Sequence, residues 1–103
     1  MRFEAWSGQK LVGLVAAYCN DQQRHIVYIS SVSVLKAWTC NGIAANLILQ
    51  CIKYSERTGM RQIRLEVYND NSAAIKLYEK NGFVTERNNG AFVNMQLNLC
   101  LKP

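Results

Sequence analysis

The sequence predicts an α+β domain on a mixed, mainly antiparallel sheet, with elements in the order β-β-β-α-β-α-β-β. Three observations carry this expectation. Strand-like runs open the chain and are joined by short polar turns, as in an antiparallel meander. The apolar period then changes from two to three and four after residue 43. A clean period-two run, a second short helical stripe and a hairpin signal follow in that order.

Arg2 to Ser7 is the first strand, and Gly8-Gln9-Lys10 is its turn. Leu11 to Cys19 is a second strand with Gly13 inside it, and an interior glycine marks a bulge or a close approach of backbone. The polar stretch Asn20 to Arg24 leads into a third strand, His25 to Leu35. Ala44, Leu47, Ile48, Cys51 and Ile52 recur on one face of a helix that Gly59 closes. Gln62 to Tyr68 alternates Ile63, Leu65 and Val67 with Arg64, Glu66 and Tyr68. Following a helix, that strand is expected to pair in parallel with the strand before the helix, through a right-handed crossover. Asn69-Asp70-Asn71-Ser72 supplies N-cap residues for a second helix with Ala74, Leu77 and Tyr78 on its inner face and Asn81-Gly82 at its end. Phe83 to Arg87 and Ala91 to Leu101 are the last strands, divided by Asn88-Asn89-Gly90. With no linker and no repeat, residues 1–103 form one domain, and its sheet is a thin one to cover with two helices.

At 103 residues, half of them hydrophobic and 18% charged, the chain has a globular rather than a disordered composition. Its net charge of +5 suits an anionic partner, whether a polyphosphate-bearing small molecule or a nucleic acid. Lys53, Arg57, Arg61 and Arg64 are read as an ordinary solvated face, because no nucleic-acid recognition motif or interleaved aromatics accompany them. No apolar run reaches the roughly 18–20 residues of a membrane helix, and the start lacks the h-region of an export signal. Cys19, Cys40, Cys51 and Cys100 form no close pair, and His25 is the only histidine, so no metal site is expected. The four cysteines are taken as reduced thiols of a cytosolic protein.

Chemistry is expected first where the third strand meets the first helix, in the stretch Val34 to Ile48. Gly42 lies in the turn, and Ala44 and Ala45 begin the helix, leaving room above free backbone N–H groups that bind phosphate without a charged side chain. On spacing alone a second reading stands beside it: Thr39 or Asn41 caps the helix and Gly42 is only a turn residue. Tyr78 has the same two readings, a functional phenol or a core aromatic with its hydroxyl at the rim.

The series Asn71, Ala74, Leu77, Tyr78, Glu79, Lys80, Gly82 and Phe83, together with the turn from Thr39 to Ala44, resembles the GNAT superfamily of acyl-CoA-dependent N-acetyltransferases. The resemblance runs from about Phe3 to the end of the chain and implies a GNAT-like acyl-CoA N-acyltransferase fold. It implies acetyl-CoA as acyl donor, lying in a V-shaped opening between the strand that ends at Leu35 and the strand Ile63 to Tyr68. Backbone groups of Val32, Ser33 and Val34 would hold the pantetheine arm, and amides of Cys40, Asn41, Gly42, Ile43 and Ala44, next to Thr39, would take the pyrophosphate. Asn71 and Ala74 would lie beside the pantetheine, and Tyr78 would protonate the leaving thiolate as a general acid. No residue stands out as general base: Glu66, Ser30, Ser31 and His25 are the candidates.

Two departures from the family pattern shape the expectation. Thr39, Cys40 and Asn41 replace positions where the family carries Arg or Gln, Gly, and Lys or Arg, so the loop keeps backbone donors but loses charge-assisted contacts. The family's usual N-terminal strand and helices, which shape the acceptor site, have no counterpart before Arg2, which points to a homodimer or a partner covering the sheet. The expected activity is acetyl transfer to a primary amine of an unidentified acceptor. A non-catalytic acyl-CoA-binding module and a structural module on the same scaffold are the alternatives.

Overall fold

A computed structural model describes residues 1–21, 24–39 and 42–99. The elements are β1 (Arg2–Ser7), β2 (Lys10–Asp21), β3 (Ile26–Val34), a 3-10 turn (Lys36–Trp38), α1 (Ile43–Arg57), β4 (Gln62–Tyr68), α2 (Ser72–Lys80), β5 (Val84–Asn88) and β6 (Phe92–Asn98). Element order and type follow the sequence pattern. The differences are at the ends, with β2 running on to Asp21, β3 beginning after His25 and β6 closing at Asn98. His25 leaves the strand because its φ of 54° is left-handed. Cys40, Asn41, Cys100 and Leu101 lie outside the described residues.

The six strands form one sheet in the order β1-β2-β3-β4-β6-β5. Only β3 and β4 are parallel; the other four neighbour pairs are antiparallel. Ile63, Leu65 and Val67 of β4 face the same side as Val93 and Met95 of β6 and Val15 and Ala17 of β2, and these residues make the core with Leu47, Ile48 and Cys51 of α1. Each of the buried Val, Leu, Ile and Met side chains among them contributes about 1.5–3 kcal/mol of burial. α1 lies over β1, β2 and β3, with Phe3 of β1 meeting Tyr54 edge-on at 5.9 Å. Gly13 permits that approach. A Cβ built there would stand 2.7 Å from Ile43 Cγ2 and 3.2 Å from Leu47 Cδ1. The opposite face, with Tyr18, Tyr28, Arg64, Glu66 and Asn94, carries no helix among the described residues.

α1 ends where the Thr58 hydroxyl donates to the Tyr54 carbonyl at 2.9 Å and Gly59 turns the chain at φ 80°. α2 begins with the Asn71 carboxamide accepting the Ala74 N–H at 3.2 Å, the cap expected from Asx residues before a helix.

Candidate functional site

The site begins with a slip in one strand. β3 pairs β4 only from Ile26↔Gln62 to Ile29↔Leu65, although both strands continue. Beyond that point β3 pairs only β2, and β4 pairs only β6, so the two strands part. The slip has a visible cause. Ala16 faces Ser31 and Ala17 faces Ile29, which leaves Ser30 as an extra residue whose hydroxyl donates to the Ala16 carbonyl at 3.2 Å. A bulge bends its strand and sharpens the twist, which carries the end of β3 away from β4. It also shifts the alternation, so that Val32 and Val34, opposite Val15 and Gly13, face the helices.

A cleft of about 380 Å³ lies between the freed end of β3 and the two helices. Val32, Ser33 and Val34 form one wall, Trp38 and Thr39 the mouth, and Gly42, Ile43, Ala44 and Ala45 the end of α1 that faces it. Ala73 and Leu77 of α2 close the other side. At the mouth, Gly42 adopts φ 74°, and no side chain caps α1 among the described residues. The first intrahelical bond runs from Asn46 N–H to the Gly42 carbonyl at 3.0 Å, so the amides of Ile43, Ala44 and Ala45 keep their capacity for an anion. Thr39 is not the cap of α1; its hydroxyl donates back to the Lys36 carbonyl at 2.9 Å and closes the 3-10 turn. A helix start that no described side chain caps, beside a mainly apolar cleft, fits a ligand with an anionic end and an apolar arm.

Of the residues expected in the site, Val32, Ser33, Val34, Thr39, Gly42, Ile43 and Ala44 are brought together around this cleft. Cys40 and Asn41 lie outside the described residues. Asn71 and Ala74 are not in its lining: the Asn71 Oδ1 accepts the α2 cap bond, and Ala74 packs against the core. Tyr78 sits one residue from Leu77, is buried in the core and packs on Phe83 at 5.8 Å between ring centroids. Burial pushes its phenol pKa above the ordinary value. Its hydroxyl has no hydrogen-bond partner among the described residues. Ala73 escaped the sequence reading, and Leu77 was expected on the inner face of α2 rather than in the site, because a helical stripe reports the core-facing side. A cleft beside the core recruits the neighbours of that stripe.

A second cavity, of about 340 Å³, lies on the helix-free face of the sheet. Ile29 and Leu65, the last paired residues before the strands part, belong to its lining together with Tyr18, Tyr28, Arg64, Glu66, Glu86 and Asn94.

A mixed sheet that opens at its parallel pair, with a helix start at the mouth that no described side chain caps, has the architecture of the acyl-CoA N-acyltransferases. The chain belongs to the acetyltransferase (GNAT) family, whose model matches residues 1–83. It is 28% identical over 81 residues to the GCN5-related N-acetyltransferase 6, chloroplastic, of Arabidopsis thaliana, covering 78% of this chain and 28% of that protein. It is 31% identical over 83 residues to the N-alpha-acetyltransferase MAK3 of the same plant, covering 80% of this chain and 44% of that one. The chain thus spans less than half the length of either relative. Its fold superimposes with a TM-score of 0.85, at 23% identity, on a PaiA N-acetyltransferase from Thermoplasma acidophilum solved with coenzyme A. That match covers 93% of this chain and 58% of the other.

Proposed function

We propose that the chain transfers the acetyl group of acetyl-CoA to a primary amine by direct attack. The observation that carries the reading is the cleft that joins the end of β3, where it has parted from β4, to the start of α1, which no described side chain caps. Family membership and the coenzyme bound by the Thermoplasma relative support it. The donor supplies an activated acyl carbon and a thiolate leaving group. In this reading the unpaired backbone edge at Val32, Ser33 and Val34 holds the pantetheine arm and orients the thioester. The amides that follow Gly42, with Thr39 beside them, take the pyrophosphate, and the small Ala44 leaves it room. The proposal extends the same role to the backbone amides of Cys40 and Asn41, which lie outside the described residues. Asn71 and Ala74 act through α2, because the cap between them fixes the helix that brings Ala73 and Leu77 to the wall.

Tyr78 is the proton donor to the thiolate in this proposal. Its burial keeps the phenol protonated across the neutral range, which suits a general acid for a leaving thiol. No cluster of metal-ligating side chains exists among the described residues, and none is invoked. Among those residues no helix is long and apolar enough to cross a membrane. The same proposal places the protein in the cytosol, as a homodimer or with a partner over part of the open sheet face.

Calorimetric titration with acetyl-CoA and with free CoA tests the reading. Micromolar binding of both is expected, followed by acetyl-CoA-dependent thiol release with an amine. Tyr78→Phe is expected to leave coenzyme affinity within about twofold and to lower turnover by about 10²-fold or more, the usual scale of a lost general acid. Absence of binding at high micromolar coenzyme refutes the proposal. Binding without turnover on any amine favours the non-catalytic alternative.

A further inference from the structure

We propose that the outer edge of β1 is a dimer interface, where the strand pairs antiparallel with β1 of a second copy and joins two sheets into one. The inference rests on the homodimer part of the proposed reading and names its surface, and it is independent of the acyl chemistry. β1 stands at one end of the sheet and pairs only with β2 among the described residues.

The hydrogen-bond pattern fixes which groups this edge presents. Met1 N donates to the Ala17 carbonyl at 2.8 Å, and the Ala17 N–H donates to the Met1 carbonyl at 2.9 Å. In an antiparallel ladder such doubly bonded pairs alternate with unbonded ones. Phe3 and Ala5, opposite Val15 and Gly13, are therefore bonded inward to β2. Arg2 and Glu4 aim their N–H and C=O groups outward.

The two ends of the sheet are not alike. At the far end, β5 carries Glu86 as an extra residue, since Thr85 faces Met95 and Arg87 faces Asn94. A bulge of this kind keeps an edge from pairing. β1 has no bulge of its own: the register slip beside Ala5 takes its extra residue, Val12, from β2. Its two charges, Arg2 and Glu4, are opposite in sign and two residues apart, so the edge is complementary to itself when the second copy runs antiparallel.

Charge also selects the register. Pairing through the outward groups sets even-numbered residues opposite even-numbered ones. A two-fold axis at Arg2 or at Glu4 faces like charges across the join, which destabilises, and an axis at Ala5 gives neither charge an opposite partner. An axis at Phe3 sets Arg2 opposite the partner's Glu4 and Glu4 opposite the partner's Arg2. Within one chain Arg2 Nη2 and Glu4 Oε2 are already 3.1 Å apart, so the join closes a ring of four alternating charges. On the helix side, the two Phe3 side chains meet at an unbonded pair, where Cα atoms are about 4.5 Å apart. Phe3 already meets Tyr54 edge-on, and Tyr54 is 41% exposed. The second copy brings its own Phe3–Tyr54 pair against the first, which gives a half-wet aromatic contact the partner it lacks in the single chain.

The test is sedimentation of the full chain. At about 100 µM, where small interfaces hold, the wild type is expected to run as a dimer. Arg2→Glu and Glu4→Arg each set like charges opposite one another twice, and each is expected to weaken the dimer at least about tenfold. Both positions are exposed and distant from the cleft lining, so the melting midpoint and the coenzyme titration should stay unchanged. Mixing the two variants restores opposite charge at every pair, and the equimolar mixture is expected to form a heterodimer. Arg2→Glu and Glu4→Arg combined in one chain are expected to dimerise again. Phe3→Cys, on the axis, is expected to link two chains on mild oxidation under conditions that leave the wild type unlinked. A monomeric wild type, single variants that dimerise as the wild type does, or a mixture that stays monomeric overturns the inference. So does a dimeric Phe3→Cys protein that does not link. None of these outcomes touches the acetyl-transfer reading, which stands or falls on the coenzyme titration.

Discussion

Replacing Gly13 with alanine tests how tightly α1 is laid on the sheet beside the cleft. The new methyl would stand 2.7 Å from Ile43 Cγ2, a branch fixed next to the helix backbone, and 3.2 Å from Leu47 Cδ1. Overpacking of this kind costs about 1–3 kcal/mol, and the lower entropy of an alanine in the unfolded chain returns about 0.4–1 kcal/mol. The net expectation is a loss of about 1–2 kcal/mol. In a domain of this size each kcal/mol moves the melting midpoint by about 4–8 °C. Urea and thermal unfolding of the wild type, Gly13→Ala, Ile43→Ala and the double variant measure it. Ile43→Ala removes the clashing branch, so the double variant should be no less stable than Ile43→Ala alone, with a coupling of about 1 kcal/mol or more between directly touching sites. Because Ile43 is the first residue of α1 and lines the cleft, Gly13→Ala should also weaken coenzyme binding. A Gly13→Ala protein as stable as the wild type, or destabilised equally with and without Ile43, refutes the close approach.

Ala44→Leu, at the half-exposed start of α1 and in the cleft wall, is expected to change stability by under about 0.5 kcal/mol and to abolish coenzyme binding in calorimetry. Retained affinity would mean the arm runs elsewhere. Ser55→Ala removes a fully buried hydroxyl whose only polar neighbour among the described residues is the weakly interacting Cys51 thiol, so unfolding should show a gain of up to about 1 kcal/mol rather than a loss. Burial pushes both the Cys51 thiol and the Tyr78 phenol up, so the unfolded chain ionises each group first. Stability should therefore hold up to about pH 8.5 and fall as pH rises through about 8.5–10 and beyond. Tyr78→Phe should remove the later part of that fall, and a melting midpoint flat to pH 11 would contradict both shifts.

Most of the fold is legible in the sequence because each element carries its own period. Ile63, Leu65 and Val67 alternate, while Leu47, Ile48, Cys51 and Ser55 recur at three and four. The parallel pairing of β3 with β4 follows from the helix between them, which leaves no short antiparallel return. The Asn71 cap and the turn at Gly82, φ 97°, are equally local and equally readable. What local pattern does not report is where a side chain goes once two elements meet. The Asn71 carboxamide can cap its own helix or reach a ligand, and the sequence is the same in either case. The far-face cavity is invisible for the same reason, since Tyr18, Arg64, Glu86 and Asn94 come from four strands and meet only through register.

One signal of the site does lie in the sequence, in β3 itself. Val27 and Ile29 keep one phase, Ser30 and Ser31 interrupt it, and Val32 and Val34 resume in the other. A strand that must present apolar residues to the same helices on both sides of a two-serine step has to absorb one residue, and a bulge is how an antiparallel ladder does so. Once that bulge bends β3 toward β2, β4 keeps its straight ladder with β6 from Gln62 to Tyr68, and the parallel pair has no means of staying closed. The cleft and the cavity behind it are therefore two faces of one event. A single phase slip at Ser30 frees Val32, Ser33 and Val34 to wall the cleft and leaves Ile29 and Leu65, the last pair, at the cavity on the other face.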